Sequence, residues 1–178
     1  IYVSPLRALD NDIYKNLMIP LKEISEEMEE VSEIRIAIRT GDIRPYEKQK
    51  QLRKPPHILI TTPESLAIIL NSRKFIEKLR DVRWVVIDEI HELASSKRGV
   101  HLSLSLERLQ EMCREKFVRI GLGATLHPIE EIAKFVVGYE NGKPRDCAIV
   151  DVTWFKPFDL KLICPTDDII YTDAETLN

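Results

Sequence analysis

Apolar residues recur along this chain in two alternating rhythms. Ile1-Tyr2-Val3, Ile34 to Ile38, His57 to Ile60, Trp84 to Ile87 and Phe117 to Leu122 are short, nearly unbroken runs. Runs of that length suit strands buried on both faces and are too short for buried helices. Between them apolar residues return every three or four positions, the period of a helix with one buried side. Leu6, Leu9, Ile13 and Leu17 begin the first such stripe, and Leu21, Ile24, Met28 and Val31 continue it. Pro20 interrupts the stripe and lacks a backbone donor, which predicts two helices or one bent helix. The acids from Glu23 to Glu33 form a solvated face on this reading.

Pro45 to Leu52 predicts a short polar helix, stopped by Pro55-Pro56. Thr62 before Pro63 is a helix start, a hydroxyl cap followed by proline at the first helical position, with Leu66, Ile69 and Leu70 on the buried side. A short helix is expected from Phe75 to Leu79, and a strongly apolar one from Val100, Leu102, Leu104, Leu106, Leu109 and Cys113. Pro128 opens another, with Ile129, Ile132, Ala133 and Val136 inward and Gly138 as its stop. After a turn rich in Gly, Pro and Asn, Cys147 to Val150 and Leu160 to Ile163 read as two further strands, and the polar tail from Thr166 as the beginning of a linker. Alternating strands and helices define an α/β fold, a mostly parallel sheet with helices on both faces and every strand's carboxyl end on one edge.

The 178 residues suffice for one domain with a sizeable core, and a chain starting at Ile1, already in strand pattern, is expected to be a piece of a longer protein. A net charge of −3 gives no global basic field of the histone kind, though it leaves room for a local phosphate-binding cleft. Cys113, Cys147 and Cys164 are far apart and odd in number, which fits a reduced compartment better than a disulfide or zinc framework. No apolar run approaches the roughly 20 residues of a membrane span.

Candidate chemistry gathers where the expected strands end. Ser4-Pro5, Thr40-Gly41-Asp42, Thr61-Thr62-Pro63-Glu64, Asp88-Glu89-Ile90-His91 and Gly123-Ala124-Thr125 all fall at carboxyl ends, the edge at which open α/β sheets bind ligands. Each alone is an ordinary strand-to-helix turn. Five together make one functional edge. Hydroxyls and backbone donors there suit phosphate oxygens, with Arg7, Arg39, Arg44, Lys97 and Arg98 nearby to supply charge. At Asp88-Glu89 one carboxylate can hold a hydrated divalent cation on nucleotide phosphates, and the other can orient or deprotonate a water.

In this order, Ser4-Pro5-Leu6-Arg7-Ala8-Leu9, Arg39-Thr40-Gly41-Asp42, Thr61-Thr62-Pro63-Glu64-Ser65-Leu66, Asp88-Glu89-Ile90-His91 and Gly123-Ala124-Thr125 resemble the motifs of superfamily-two DEAD/DEAH-type helicases. Ser96-Lys97-Arg98-Gly99 running into Leu104-Ser105-Leu106-Glu107-Arg108-Leu109 narrows the resemblance to the large helicase-related (Lhr) family. It implies a three-layer RecA-like domain over residues 1–165, truncated at its N-terminus so that it lacks the phosphate loop, with 166–178 starting a linker toward a second RecA-like domain. It also implies an ATP-dependent, 3′-to-5′ nucleic-acid helicase of the prokaryotic cytoplasm, with ATP and Mg2+ as cofactors and single-stranded DNA or RNA as partner. Asp88 would hold Mg2+ on the phosphates, Glu89 would activate the hydrolytic water, and His91 and Thr125 would couple turnover to strand movement. Ser4, Pro5, Arg7, Thr40, Gly41, Asp42, Thr62, Pro63, Glu64 and Ser65 would follow the nucleic-acid backbone.

Two departures from the family pattern qualify these roles. Gly123 stands where similar proteins usually carry serine, and no G-x-x-x-x-G-K-[ST] occurs, since Gly142-Lys143 is followed by Pro144 and lacks the upstream glycine. The 178 residues alone are therefore expected to turn over ATP poorly. The competing reading is a nucleic-acid-binding or scaffolding domain of helicase ancestry, against which an intact Asp88, Glu89 and His91 weigh. A zinc-protease reading fails because Ser95 occupies the position of the second histidine, and no Gly-x-Ser-x-Gly elbow exists. Trp84 and Trp154 are expected as core or interface residues, and Phe155 and Phe158 in packing, rather than under bases.

Overall fold

The computed structural model describes residues 1–5, 7–27, 34–124 and 127–151. Residues 1–147 form one compact unit and 148–178 a second, of which 148–151 are described. The expected strand at Leu160 to Ile163, the aromatic positions Trp154, Phe155 and Phe158, and the expected boundary after Pro165 lie outside the described residues.

The first unit runs β1 (Tyr2–Val3), α1 (Arg7–Glu27), β2 (Ile36–Arg39), α2 (Pro45–Arg53), β3 (Ile58–Thr61), α3 (Pro63–Ile69), α4 (Arg73–Leu79), β4 (Trp84–Ile87), α5 (Ile90–Ala94), α6 (Lys97–Met112), β5 (Val118–Gly121), α7 (Ile129–Val137), β6 (Tyr139–Glu140) and β7 (Lys143–Pro144). The first five strands make one sheet in the order β2-β3-β1-β4-β5, parallel at every pairing, as the α/β pattern predicts. The two-residue β1 is its centre.

Strand side chains alternate between the two faces, and the register carries that alternation across the sheet. Val3, Leu59, Val85 and Ile87 share one face and are buried with Leu66, Ile69, Phe75, Leu79, Ile90, Leu93, Leu102, Leu106 and Leu109 of α3, α4, α5 and α6. Ile38, Ile60, Tyr2, Val86 and Ile120 form a row on the other face. There α1 contacts β2 and β3, and Ile60 is fully buried, while Trp84, Val118, Ile120 and Leu122 at the far side are exposed. Trp84 is thus not a core residue, because its position in β4 points it away from the helices that cover Val85 and Ile87.

Several expectations meet a definite outcome. α1 is one helix running through Pro20, not two. Thr62 caps α3 as expected, its Oγ1 accepting from the Ser65 amide at 3.3 Å. In α6 the stripe Leu102, Leu106 and Leu109 is buried, but Val100 and Leu104 point outward at 70% and 60% exposure because they lie off that stripe. Cys147 to Val150 forms no strand. Pairing occurs earlier instead, in the β6–β7 hairpin, where Asn141 and Gly142 take positive φ values of 52° and 77°. Gly138 ends α7 at φ 69°, the expected stop. The five-residue α5 was not foreseen. It meets α6 so closely that a Cβ on Gly99 would lie 2.0 Å from the Leu93 carbonyl oxygen, so this contact needs glycine.

Candidate functional site

Parallel pairing brings the carboxyl ends of β1 to β5 to one edge, and backbone hydrogen bonds continue past the strands to join them. The Ser4 amide donates to the Thr61 carbonyl at 3.0 Å, and the Asp88 amide to the Val3 carbonyl at 2.9 Å. The Leu122 amide donates to the Ile87 carbonyl at 2.9 Å, and the Ile90 amide to the Leu122 carbonyl at 3.0 Å. Thr61 Oγ1 donates to the Arg39 carbonyl at 2.7 Å. Among the described residues, the turns that follow the five strands therefore lie along one connected rim, as the parallel pattern of the sequence predicts.

Asp88 is half-buried between β1 and α5. Its Oδ2 accepts from the Tyr2 hydroxyl at 2.6 Å and its Oδ1 from the Glu89 amide at 2.9 Å. Burial, then the hydrogen bond to Asp88, raises the Tyr2 phenol well above its ordinary pKa, so it remains a donor. Glu89 adopts the left-handed conformation, φ 48° and ψ 48°, before the helical Ile90. A non-glycine residue in that region is uncommon and clusters at functional sites. His91 lies between carboxylates, Nδ1 3.4 Å from Glu89 Oε2 and Nε2 3.7 Å from Glu92 Oε1. Its Nδ1 is buried without hydrogen-bond geometry to any partner among the described residues.

The remaining expected contacts sort by exposure. Gly41 and Asp42 are exposed and Thr40 is half-buried, with Lys48 Nζ donating to the Gly41 carbonyl at 3.3 Å. Ser4, Thr62, Pro63 and Ser65 are buried, and the Thr62 and Ser65 hydroxyls meet at 3.1 Å. Glu64 is exposed and paired with Arg98. The Arg7 side chain and Thr125 lie outside the described residues.

Two of the expected phosphate cations are committed elsewhere. The Arg39 guanidinium lies 4.4 Å from the Phe75 ring centroid and donates to the Lys48 carbonyl and Gln51 Oε1, tying α2 and α4 to the sheet. Arg98 is taken up by Glu64 and by the Pro5 carbonyl. Arg44 and Lys97 stay exposed. Sequence reading also missed Tyr2 as the partner of Asp88; a phenol within an apolar central strand was its only signal.

Among the described residues no group of three or more His, Cys, Asp or Glu could hold a metal ion. A single rim carboxylate nonetheless fits magnesium, which keeps most of its waters and binds through one or two carboxylates plus substrate phosphates.

Residues 1–133 match the DEAD/DEAH box helicase family, and the chain belongs to it. Within that family the chain is 57% identical over 180 residues to the ATP-dependent helicase Lhr-Core of Methanothermobacter thermautotrophicus, covering 99% of this chain and 21% of that protein. The ATP-dependent helicase Lhr-Core protein 2 of Thermococcus barophilus is also 57% identical, over 183 residues covering 100% of this chain and 21% of that protein. The structure of Mycobacterium smegmatis helicase Lhr bound to ssDNA and AMP-PNP matches with a TM-score of 0.73 at 45% identity, covering 77% of this chain and 18% of that one. The chain thus spans about a fifth of the length of these relatives.

Proposed function

We propose that the full-length protein is a cytoplasmic ATP-driven helicase of the Lhr type that moves 3′-to-5′ along a single strand of nucleic acid. Residues 1–165 supply its first RecA-like domain, and 166–178 lead toward a second. What carries this reading is the shared rim, with the Asp88-Glu89 pair on one side of β1 and Thr40-Gly41-Asp42 and Thr62-Pro63-Glu64-Ser65 on the other. The similar Lhr of Mycobacterium smegmatis, bound to ssDNA and AMP-PNP, supports both halves of it.

Asp88 would hold magnesium, which when bound neutralises charge on the nucleotide phosphates. Tyr2 and the Glu89 amide fix the rotation of that carboxylate. Glu89 orients the attacking water and accepts its proton at the side-chain carboxylate. His91 and Thr125 relate the nucleotide side to the nucleic-acid side. Ser4, Pro5, Arg7 and the Thr40 and Thr62 clusters follow the strand's backbone, a mode of contact with little base preference. The 178 residues contain no Gly-Lys-Ser/Thr phosphate loop, so this chain by itself is proposed to turn over ATP poorly.

The test is ATP hydrolysis by the full-length protein with and without single-stranded DNA or RNA. Stimulation by one polymer is the expected result and names the preferred strand. No hydrolysis with either, from folded protein, favours a non-catalytic binding domain and makes Gly123 the first position to restore to serine.

A further inference from the structure

Two residues on the nucleic-acid side have the wrong charge for the simplest account of their positions. Glu64 is an exposed carboxylate in a stretch expected to lie along phosphates, where an unpaired acid would repel the strand. Arg98 is a cation in the first turn of the 16-residue α6, where the helix dipole disfavours positive charge. Both anomalies vanish in one contact. Arg98 Nε and Nη2 donate to the two Glu64 carboxylate oxygens, and Nη2 also donates to the Pro5 carbonyl at 2.8 Å. One guanidinium thus joins the turn after β1 to the start of α3, across 93 and 34 residues of sequence.

The anchor of this contact is also fixed. Ser96 caps α6, its Oγ accepting from the Gly99 amide at 3.2 Å, and Gly99 sits against the Leu93 carbonyl at the end of α5. Arg98 therefore projects from a point set by the helix that follows Asp88-Glu89.

We infer that Arg98 is a positioning residue: with Glu64 it clamps the Pro5 turn and the start of α3 into one surface for a nucleic-acid strand, and it is not itself a phosphate ligand. This rests on the functional reading above. The planar fork of arginine serves several acceptors at once, which a lysine ammonium on a flexible stem does not reproduce. Both side chains are close to half exposed, so the pair contributes little to fold stability and its effect belongs to binding.

The experiment uses the full-length protein and fluorescently labelled oligothymidine and oligouridine strands, with Kd for the tighter-bound one measured across a salt series. Arg98→Ala is expected to raise Kd about tenfold, because the strand must then order the Pro5 turn and the start of α3 that the clamp holds in place beforehand. Glu64→Ala is expected to raise it in the same direction, and the double variant to be no worse than the weaker-binding single one. The slope of log Kd against log salt stays that of the wild type. Arg98→Lys, which keeps the charge, weakens binding nearly as much as Arg98→Ala and answers the question if the alanine variant fails to fold.

Tighter binding by Glu64→Ala overturns the proposal. So does a slope lowered by about one in Arg98→Ala, the mark of a lost phosphate contact. Wild-type affinity in Arg98→Lys overturns it as well. A wild-type protein that binds neither oligothymidine nor oligouridine at low salt overturns the functional reading and the clamp together, whereas wild-type binding with unaffected variants overturns the clamp alone.

Discussion

Glu89 holds its left-handed backbone at a cost of about 1 kcal/mol, typical of a side chain with a Cβ in that region. The bond from its amide to Asp88 Oδ1 offsets part of that cost and turns the chain so that the two carboxylates part company, one toward Tyr2 and one toward His91. Glu89→Gln keeps the shape and removes the base, so in the full-length protein it lowers kcat by about 100-fold or more while nucleotide Kd changes little. Equilibrium binding beside steady-state turnover checks this, and normal turnover removes Glu89 from the mechanism. Tyr2→Phe deletes one donor to Asp88. The Mg2+ concentration for half-maximal nucleotide binding is expected to rise about tenfold, the scale of outer-shell changes at metal sites; an unchanged midpoint leaves Tyr2 as packing. The turn that carries Asp88 and Glu89 was legible because acids after an apolar run are conspicuous, and the structure places it at the end of β4. Tyr2 was not, since its pairing with Asp88 depends on strand register across 86 residues, which no local pattern encodes.

At the scale of elements, α6, β5 and the segment after β7 meet at Glu107. Arg145 reaches both of its carboxylate oxygens at 2.7 Å, and the nearly buried Arg119 donates to Oε1 at 2.9 Å. Burial alone would raise the Glu107 carboxyl, but the hydrogen bonds from Arg145 and Arg119 outweigh it and bring its pKa from 4.5 down to about 2. A carboxyl lowered on folding stabilises the native state above its unfolded pKa, and that contribution fades as pH falls through the folded one. Thermal stability is thus expected to decline between about pH 4.5 and pH 2, and Glu107→Gln to lower Tm at neutral pH and flatten that decline. An unaltered acid limb removes Glu107 from the account. The sequence foretold α6 and β5 from their apolar periodicity, but neither their junction nor the hairpin that delivers Arg145. That hairpin is two residues per strand, too short for alternation to register. Cys147 to Val150 misled for the converse reason: it has the length and apolar content of a strand, yet takes no strand conformation.

At the scale of the whole unit, the sheet's two faces are unequal among the described residues. One is packed by α3, α4, α5 and α6, while on the other α1 lies over β2 and β3, and Trp84, Val118, Ile120 and Leu122 remain exposed beside the edge strand β5. An apolar patch next to a strand that is at the edge among the described residues favours association. This chain on its own is expected to self-associate in sedimentation and to bind an apolar dye, and Val118→Lys to shift it toward the monomer; a wild-type chain that sediments as a monomer contradicts this. The parallel order of the sheet was legible from its alternating runs, whereas the bare half-face was not, because coverage depends on which helix crosses where.

The two-residue β1 lies between β4, which carries Asp88-Glu89, and β3, which leads to Thr62. Two strand spacings, about 10 Å, separate those neighbours, and hydrogen-bonded strands stretch little. On the proposed reading the sheet would act as a gauge block, holding the nucleotide and nucleic-acid stations at a constant offset. A stepping motor needs one part that does not change length, so that displacement elsewhere is counted in fixed increments.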